Sequence, residues 1–323
     1  MTRGPRAAFA ALVVAACLLS TAPAHAAFPG VNGPIAYVSF RAGPAVPYAV
    51  DPGGGRPWAV GRPGQVAPAW SPDGALLAVS SATMSARAAT TFEILTMRAD
   101  GTDPTTITRD EGQDYDPAWS PDGKRVAYSA IVNGNRDIWV VGADGTGAQR
   151  LTRAPSDDTI PAWSPDGTLI AFTRTRNTDG SIYLMRSDGT AVHDVTHSPG
   201  DDEDADWSPD GRRLVYTHYA PGSSTADIQT MAADGTDRRP LVVGRANDTQ
   251  PSWSPDGTRI AFTSNRRRHD DIWTVPARGG RATNLTPDTA GDDSPAWGPR
   301  SSVGDVHAVP GLGRARPPRR PSL

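Results

Sequence analysis

The chain has 323 residues, 37% of them hydrophobic, with a net charge of −3. It is long and apolar enough to bury a core, and no basic face points to nucleic acid. Its 33 glycines and 31 prolines recur at fixed repeat positions, unlike the aperiodic enrichment of disordered chains. Only Glu93, Glu111 and Glu203 are glutamates and only Lys124 is a lysine, so nearly all charge rests on aspartate and arginine.

Arg3 and Arg6 precede an apolar stretch over residues 7–19, and Ala24-His25-Ala26 has the small-x-small form of an export cleavage site. The stretch is too short for a stable membrane span. Residues 1–26 therefore read as a secretory signal, and the protein as exported: secreted, periplasmic or held in the cell envelope. Val14-Ala15-Ala16-Cys17 offers a second reading, a lipoprotein box with Cys17 acylated. Leu18-Leu19, which continue the apolar run, argue against it. Cys17 is the single cysteine, so the exported domain relies on its core and not on disulfides.

Residues 27–300 carry one repeated phrase. Trp70, Trp119, Trp163, Trp207, Trp253 and Trp297 lie 49, 44, 44, 46 and 44 residues apart, and the first five each open Trp-Ser-Pro-Asp-Gly. A fixed period of this size marks repeated supersecondary units. In the unit 116–152, Pro117-Ala118-Trp119 reads as a short strand and Ser120-Pro121-Asp122-Gly123 as a tight turn. Residues 124–129 form a second strand and 137–141 a third. Ala143-Asp144-Gly145-Thr146 makes a second turn, and 149–152 a fourth strand. Second strands begin near Ile35, Leu76, Val126, Leu169, Leu214 and Ile260.

The two ends are complementary. Residues 32–60 supply strands two to four without a Trp strand, and 292–299 supply a Trp strand with nothing after it. Joined, they complete a sixth blade. The prediction is an all-β, six-bladed β-propeller of four-stranded antiparallel blades, closed by the N-terminal strands plus the Trp297 strand. Closure leaves no exposed sheet edge; a linear β-solenoid would not explain the matching ends. The six tryptophans are expected between neighbouring blades. Residues 301–323, rich in Gly, Pro and Arg, read as a disordered tail.

Trp-Ser-Pro-Asp-Gly followed by a strand, then Asp137-Ile138-Trp139 and Ala-Asp-Gly-Thr, resembles the TolB-type, WD40-like β-propeller repeat family over about residues 32–299. Phe28-Pro29-Gly30-Val31-Asn32-Gly33 is similar to the start of exported propellers of this type. The resemblance covers the propeller part, without the N-terminal domain of TolB. It implies a six-bladed propeller of the bacterial envelope that binds other proteins.

Five residues before each Trp stand Gln65, Asp114, Asp158, Asp202, Asp248 and Asp292. In a closed ring these surround one channel mouth, on the face that also carries the loops between second and third strands. Asp116 and Asp204 add carboxylate nearby, as do Asp157, Asp201, Asp206 and Asp293. Clustered like charges repel unless a cation compensates them. Calcium suits oxygen-only ligands, which makes Asp114, Asp158, Asp202, Asp248 and Asp292 candidate metal ligands as well as ligand-binding residues. A second reading stays open, in which each Asp bonds loop N–H groups of its own repeat. Arg136, Arg174, Arg266, Arg267 and His269 are candidate loop contacts, on segments where specificity is expected.

The histidines recur at no single repeat position, and neither Gly-x-Ser-x-Gly nor His-Glu-x-x-His occurs, so no catalytic residue is assigned. Three functions follow from these residues and the resemblance. The first is an exported, non-catalytic scaffold that binds an envelope protein or peptide through its Asp-rich channel face. The second is a glycosidase- or lactonase-like hydrolase with a channel-mouth carboxylate or metal site. The third is a carbohydrate- or cell-wall-binding module. No nucleic-acid partner and no transmembrane segment in the mature chain are expected.

Overall fold

The structure, a computed structural model, describes residues 28–84, 90–109, 112–177, 179–197 and 199–301. Residues 1–27, with the expected secretory signal and Cys17, and the tail from residue 302 onward lie outside the described residues. The strands form six four-stranded antiparallel sheets arranged as the blades of a propeller, as the repeat predicts. Blade 1 pairs Asp292–Pro299 with Asn32–Ser39, followed by Val46–Val50 and Trp58–Ala59. Blades 2 to 6 start from the inner strands Gln65–Trp70, Gln113–Trp119, Asp157–Trp163, Asp201–Trp207 and Asp248–Trp253. Among the described residues no helix is long and apolar enough to cross a membrane.

The repeated turns explain the hairpins. Ser120 Oγ donates to Asp122 Oδ1 at 2.6 Å and accepts from Arg125 N at 2.9 Å, while Asp122 Oδ1 also accepts from Lys124 N. Gly123 takes the left-handed φ of 67° that closes the turn. The same serine–aspartate bond recurs at Ser71, Ser164, Ser208 and Ser254. In the second turn Asp144 Oδ1 accepts both the amide and the hydroxyl of Thr146.

Ring closure follows the complementary ends. Ile35 lies opposite Trp297 and Ser39 opposite Asp292. All six repeat tryptophans are buried at blade boundaries: Trp207 Nε1 donates to Ala162 O of the preceding blade at 3.1 Å, and Arg125 of blade 3 stacks on Trp163 of blade 4. At the closing strand Gly298 replaces the usual serine. A Cβ there would lie 2.5 Å from the Trp70 ring of the next blade, so the missing side chain makes the seam possible.

Each inner strand carries a bulge that the sequence does not announce. Three residues before each tryptophan, Ala67, Asp116, Ile160, Asp204, Gln250 and Ser294 all have φ of 51–57°. The strand register shifts at each of them. Left-handed backbone in such residues costs about 1–2 kcal/mol each, so neighbours must hold it. Ser129 does so by donating to Asp116 Oδ2 and accepting from Ile160 N of the next blade. Thr217 bridges Asp204 and Gln250 N in the same way, and Thr263 bridges Gln250 and Ser294 N.

Candidate functional site

The strand order puts the connections between blades, and the loops from second to third strands, on one face of the ring. We call it the loop face; the Ser-Pro-Asp-Gly turns occupy the other. The ring of Asp114, Asp158, Asp202, Asp248 and Asp292 sits just beneath the loop face, each aspartate no more than 1% exposed. Four of them meet a cationic or imidazole group of their own blade. Asp158 takes a two-pronged bond from Arg174 at 2.6 and 2.8 Å. Asp248 accepts from Arg266 at 2.8 Å, Asp292 from Arg41 at 2.8 Å, and Asp202 lies 2.6 Å from His218 Nδ1.

Sequence alone missed Arg41 and His218, although a signal existed. Asp158 faces Arg174 and Asp202 faces His218 across the same strand pair. Asp248 and Asp292 face Ser264 and Ser39, and their arginines stand two residues further on, at Ser264-x-Arg266 and Ser39-x-Arg41. Two aromatic rings fix each of these arginines. Arg41 lies over Tyr37 and Tyr48, Arg174 over Phe172 and Tyr183, and Arg266 over Phe262 and Trp273.

The other sequence candidates separate. Arg136 contributes its backbone N–H, which donates to Asp157 of the next blade at 3.0 Å. Asp201 and Asn247 clasp Gly180 N and Ala226 N of their preceding blades in the same way. Arg267 is exposed, and His269 Nδ1 lies 3.1 Å from Asp271 Oδ1. Asp206 accepts from Trp207 N and from Trp253 N, tying blade 5 to blade 6.

Burial sets the electrostatics of the carboxylates. It pushes Asp116 up to about 7 and Asp204 up to about 6. Half-buried Glu203, beside the carboxylates of Asp204, Asp201 and Asp202, rises to about 8, and Asp293 to about 7. Asp158 and Asp292 are also raised by burial, against the opposing pull of Arg174 and Arg41. Four of the five ring aspartates are thus paired within their own blades. Among the described residues no three Asp, Glu, His or Cys side chains gather as a metal-holding group.

Two clefts open on the loop face. One of about 450 Å³ lies between blades 5 and 6, lined by residues 243–246 and by Asp248, Asn265, Arg266 and Arg268. Another of about 330 Å³ lies at blade 4, lined by Arg174, Arg176, Asp179, Tyr183 and Asp194 among others.

A TolB β-propeller domain profile matches residues 106–229 and 205–304, together more than half of the chain. No curated protein matches it. Among solved structures it is similar to TolB from Acinetobacter baumannii, with 23% identity, a TM-score of 0.71, and coverage of 83% of this chain and 67% of that one. A TolB-type protein of Agrobacterium tumefaciens shows 28% identity and a TM-score of 0.57 over 66% of this chain and 80% of its own. An oligogalacturonate lyase in complex with manganese shares the fold, at 15% identity and a TM-score of 0.58, over 80% of this chain and 76% of its own.

Proposed function

From a chain that belongs to the TolB β-propeller family, we propose an exported, non-catalytic scaffold that binds an envelope protein or peptide on its loop face. The observation that carries this reading is the set of arginines fixed at that face. Arg41, Arg174 and Arg266 are each held by an aspartate and two aromatic rings. A guanidinium held in this way offers its remaining N–H donors with little further loss of rotamer freedom, as a recognition surface requires. The loops above differ from blade to blade, whereas the opposite face repeats the same two turns; specificity belongs to the face that varies.

The test compares the full chain with a loop-face variant, Arg176→Glu/Arg267→Glu, and a turn-face variant, Arg186→Glu/Arg212→Glu, all four residues being exposed. Each is immobilised and exposed to envelope extract, and retained proteins are identified and retitrated in pure form by calorimetry. A protein kept by the wild type and the turn-face variant, and lost by the loop-face variant, is the expected result. Equal retention by all three would sink the reading.

A second reading rests on Asp202 and His218, 2.6 Å apart at the mouth of the ring. A carboxylate that orients an imidazole is the arrangement of a general base, as a hydrolase or lyase needs. Turnover of oligogalacturonate in the presence of manganese, abolished by His218→Gln, would replace the scaffold reading. Retention on purified cell wall, released by soluble glycan, would instead favour the carbohydrate-binding module.

A further inference from the structure

We propose that the cleft between blades 5 and 6 is a binding site for a carboxylate-bearing peptide segment, an inference that rests on the protein-binding reading above. The cleft is large enough for two or three side chains at about 450 Å³. Three arginines line it against one aspartate, and that aspartate is already paired with Arg266. Arg245 and Arg268 are exposed, and neither guanidinium has a hydrogen-bond or ion-pair partner among the described residues.

Arg266 sets the geometry. Its Nε donates to Ser264 Oγ and its Nη2 to Asp248 Oδ1, both at 2.8 Å, and its plane lies 4.7 Å over Trp273. A second pin holds the two cleft walls together: Asn247 N donates to Asn265 Oδ1 at 2.9 Å.

Arg268 is the informative residue. It stands at φ 76° in a turn closed by its own N–H on Asn265 O. The matching loops of blades 3 and 5 place Gly134 and Gly222 at φ 82° and 73°. Glycine adopts that backbone freely; a side chain there costs about 1–2 kcal/mol. Here the chain carries a guanidinium at a left-handed position that glycine occupies in those two loops, and it projects that group into a cleft of like charge. Strain of this kind points to a ligand that uses the side chain.

The chemistry narrows the ligand. Planar guanidinium forks match a carboxylate in two-pronged fashion. Val243, 63% exposed, adds an apolar wall that the methylenes of a peptide side chain can cover. The Asp248 carboxylate in the lining repels a doubly charged phosphate more than a singly charged carboxylate.

The probe is a dye-labelled hexaglutamate peptide, followed by fluorescence anisotropy with the full chain. Arg245→Ser/Arg268→Gly should weaken binding about tenfold or more, with its thermal midpoint kept or raised because glycine relieves the turn. Arg212→Ser on the opposite face should leave affinity unchanged, and a hexaglutamine amide should not compete. Equal affinity of wild type and double variant would overturn the assignment. So would displacement by trigalacturonate at lower concentration than by unlabelled hexaglutamate, which would make the site one for an acidic sugar. Failure of the wild type to bind hexaglutamate also ends it, while partner retention by the loop face decides the broader reading separately.

Discussion

The two faces of the ring use aspartate in opposite ways. On the turn face Asp122 and Asp166 accept from Ser120 and Ser164, and those hydroxyls hold their carboxyls below the usual range. Asp144 and Asp188, hydrogen-bonded to Thr146 and Thr190, behave alike. Under the loop face Asp158, Asp292, Asp116 and Asp204 are all pushed up, with burial as the largest cause. One residue type therefore makes local, solvated, interchangeable turns on one side and buried links to other strands and blades on the other. The turn face builds the ring; the loop face stores the charge that makes its clefts differ.

The sharpest way to break that contrast is Asp158→Ala. It leaves Arg174, only 8% exposed, without its two-pronged partner. A loss of about 3–5 kcal/mol is expected from an uncompensated buried charge, read as a fall in the urea midpoint. Asp158→Ala/Arg174→Met should recover most of it; no recovery would mean that the carboxylate matters for something besides its arginine.

Next in size is a pH effect. Asp116 and Asp204 have folded values of about 7 and about 6, above the ordinary carboxylate value. The folded state holds their protons more tightly, so their contribution is complete below about pH 4 and is lost as pH rises through 6 and 7. Asp116→Asn/Asp204→Asn should therefore gain on the order of 2 kcal/mol at pH 8 and change little below about pH 4. A variant with the same pH profile as the wild type would show that these groups titrate normally. The turn-face aspartates have the opposite sign: their contribution is present above the ordinary carboxylate value and fades as acid lowers pH through their depressed folded values.

Smaller still is Ser164→Ala. It removes the hydroxyl that donates to Asp166 and accepts from Leu169 N, and should cost about 1 kcal/mol in the same unfolding measurement. At the bottom of the scale, Arg267→Ala on the exposed loop should shift stability by about 0.5 kcal/mol or less, while any loss of partner binding by it would mark the loop as a contact.

The blades were legible because their turns are local. Ser-Pro-Asp-Gly and Ala-Asp-Gly-Thr close through bonds between residues two to five apart, such as Ser120 with Asp122 and Arg125. The matching of residues 32–60 with the strand of Trp297 followed from the same period. The partners of the aspartate ring were half legible. Arg174 and His218 face their aspartates directly, but only once the strand register is known, and Arg41 belongs to an aspartate 251 positions away. Arg245 and Arg268 carry no repeat signal, since each belongs to a connection that differs from blade to blade.

The sequence by itself determined the number of blades, their strand order, the turn chemistry and the way the ring closes. A periodic pattern of apolar residues and turn formers is enough for these, because each unit solves the same local problem. Tertiary structure alone decided the left-handed backbone at Ala67 and Ile160, which local preference disfavours. It also decided which arginine neutralises which buried aspartate, and where unpaired guanidinium groups meet at the seam of blades 5 and 6. Those outcomes depend on distances between residues far apart in the chain, and such distances exist only after the ring has closed.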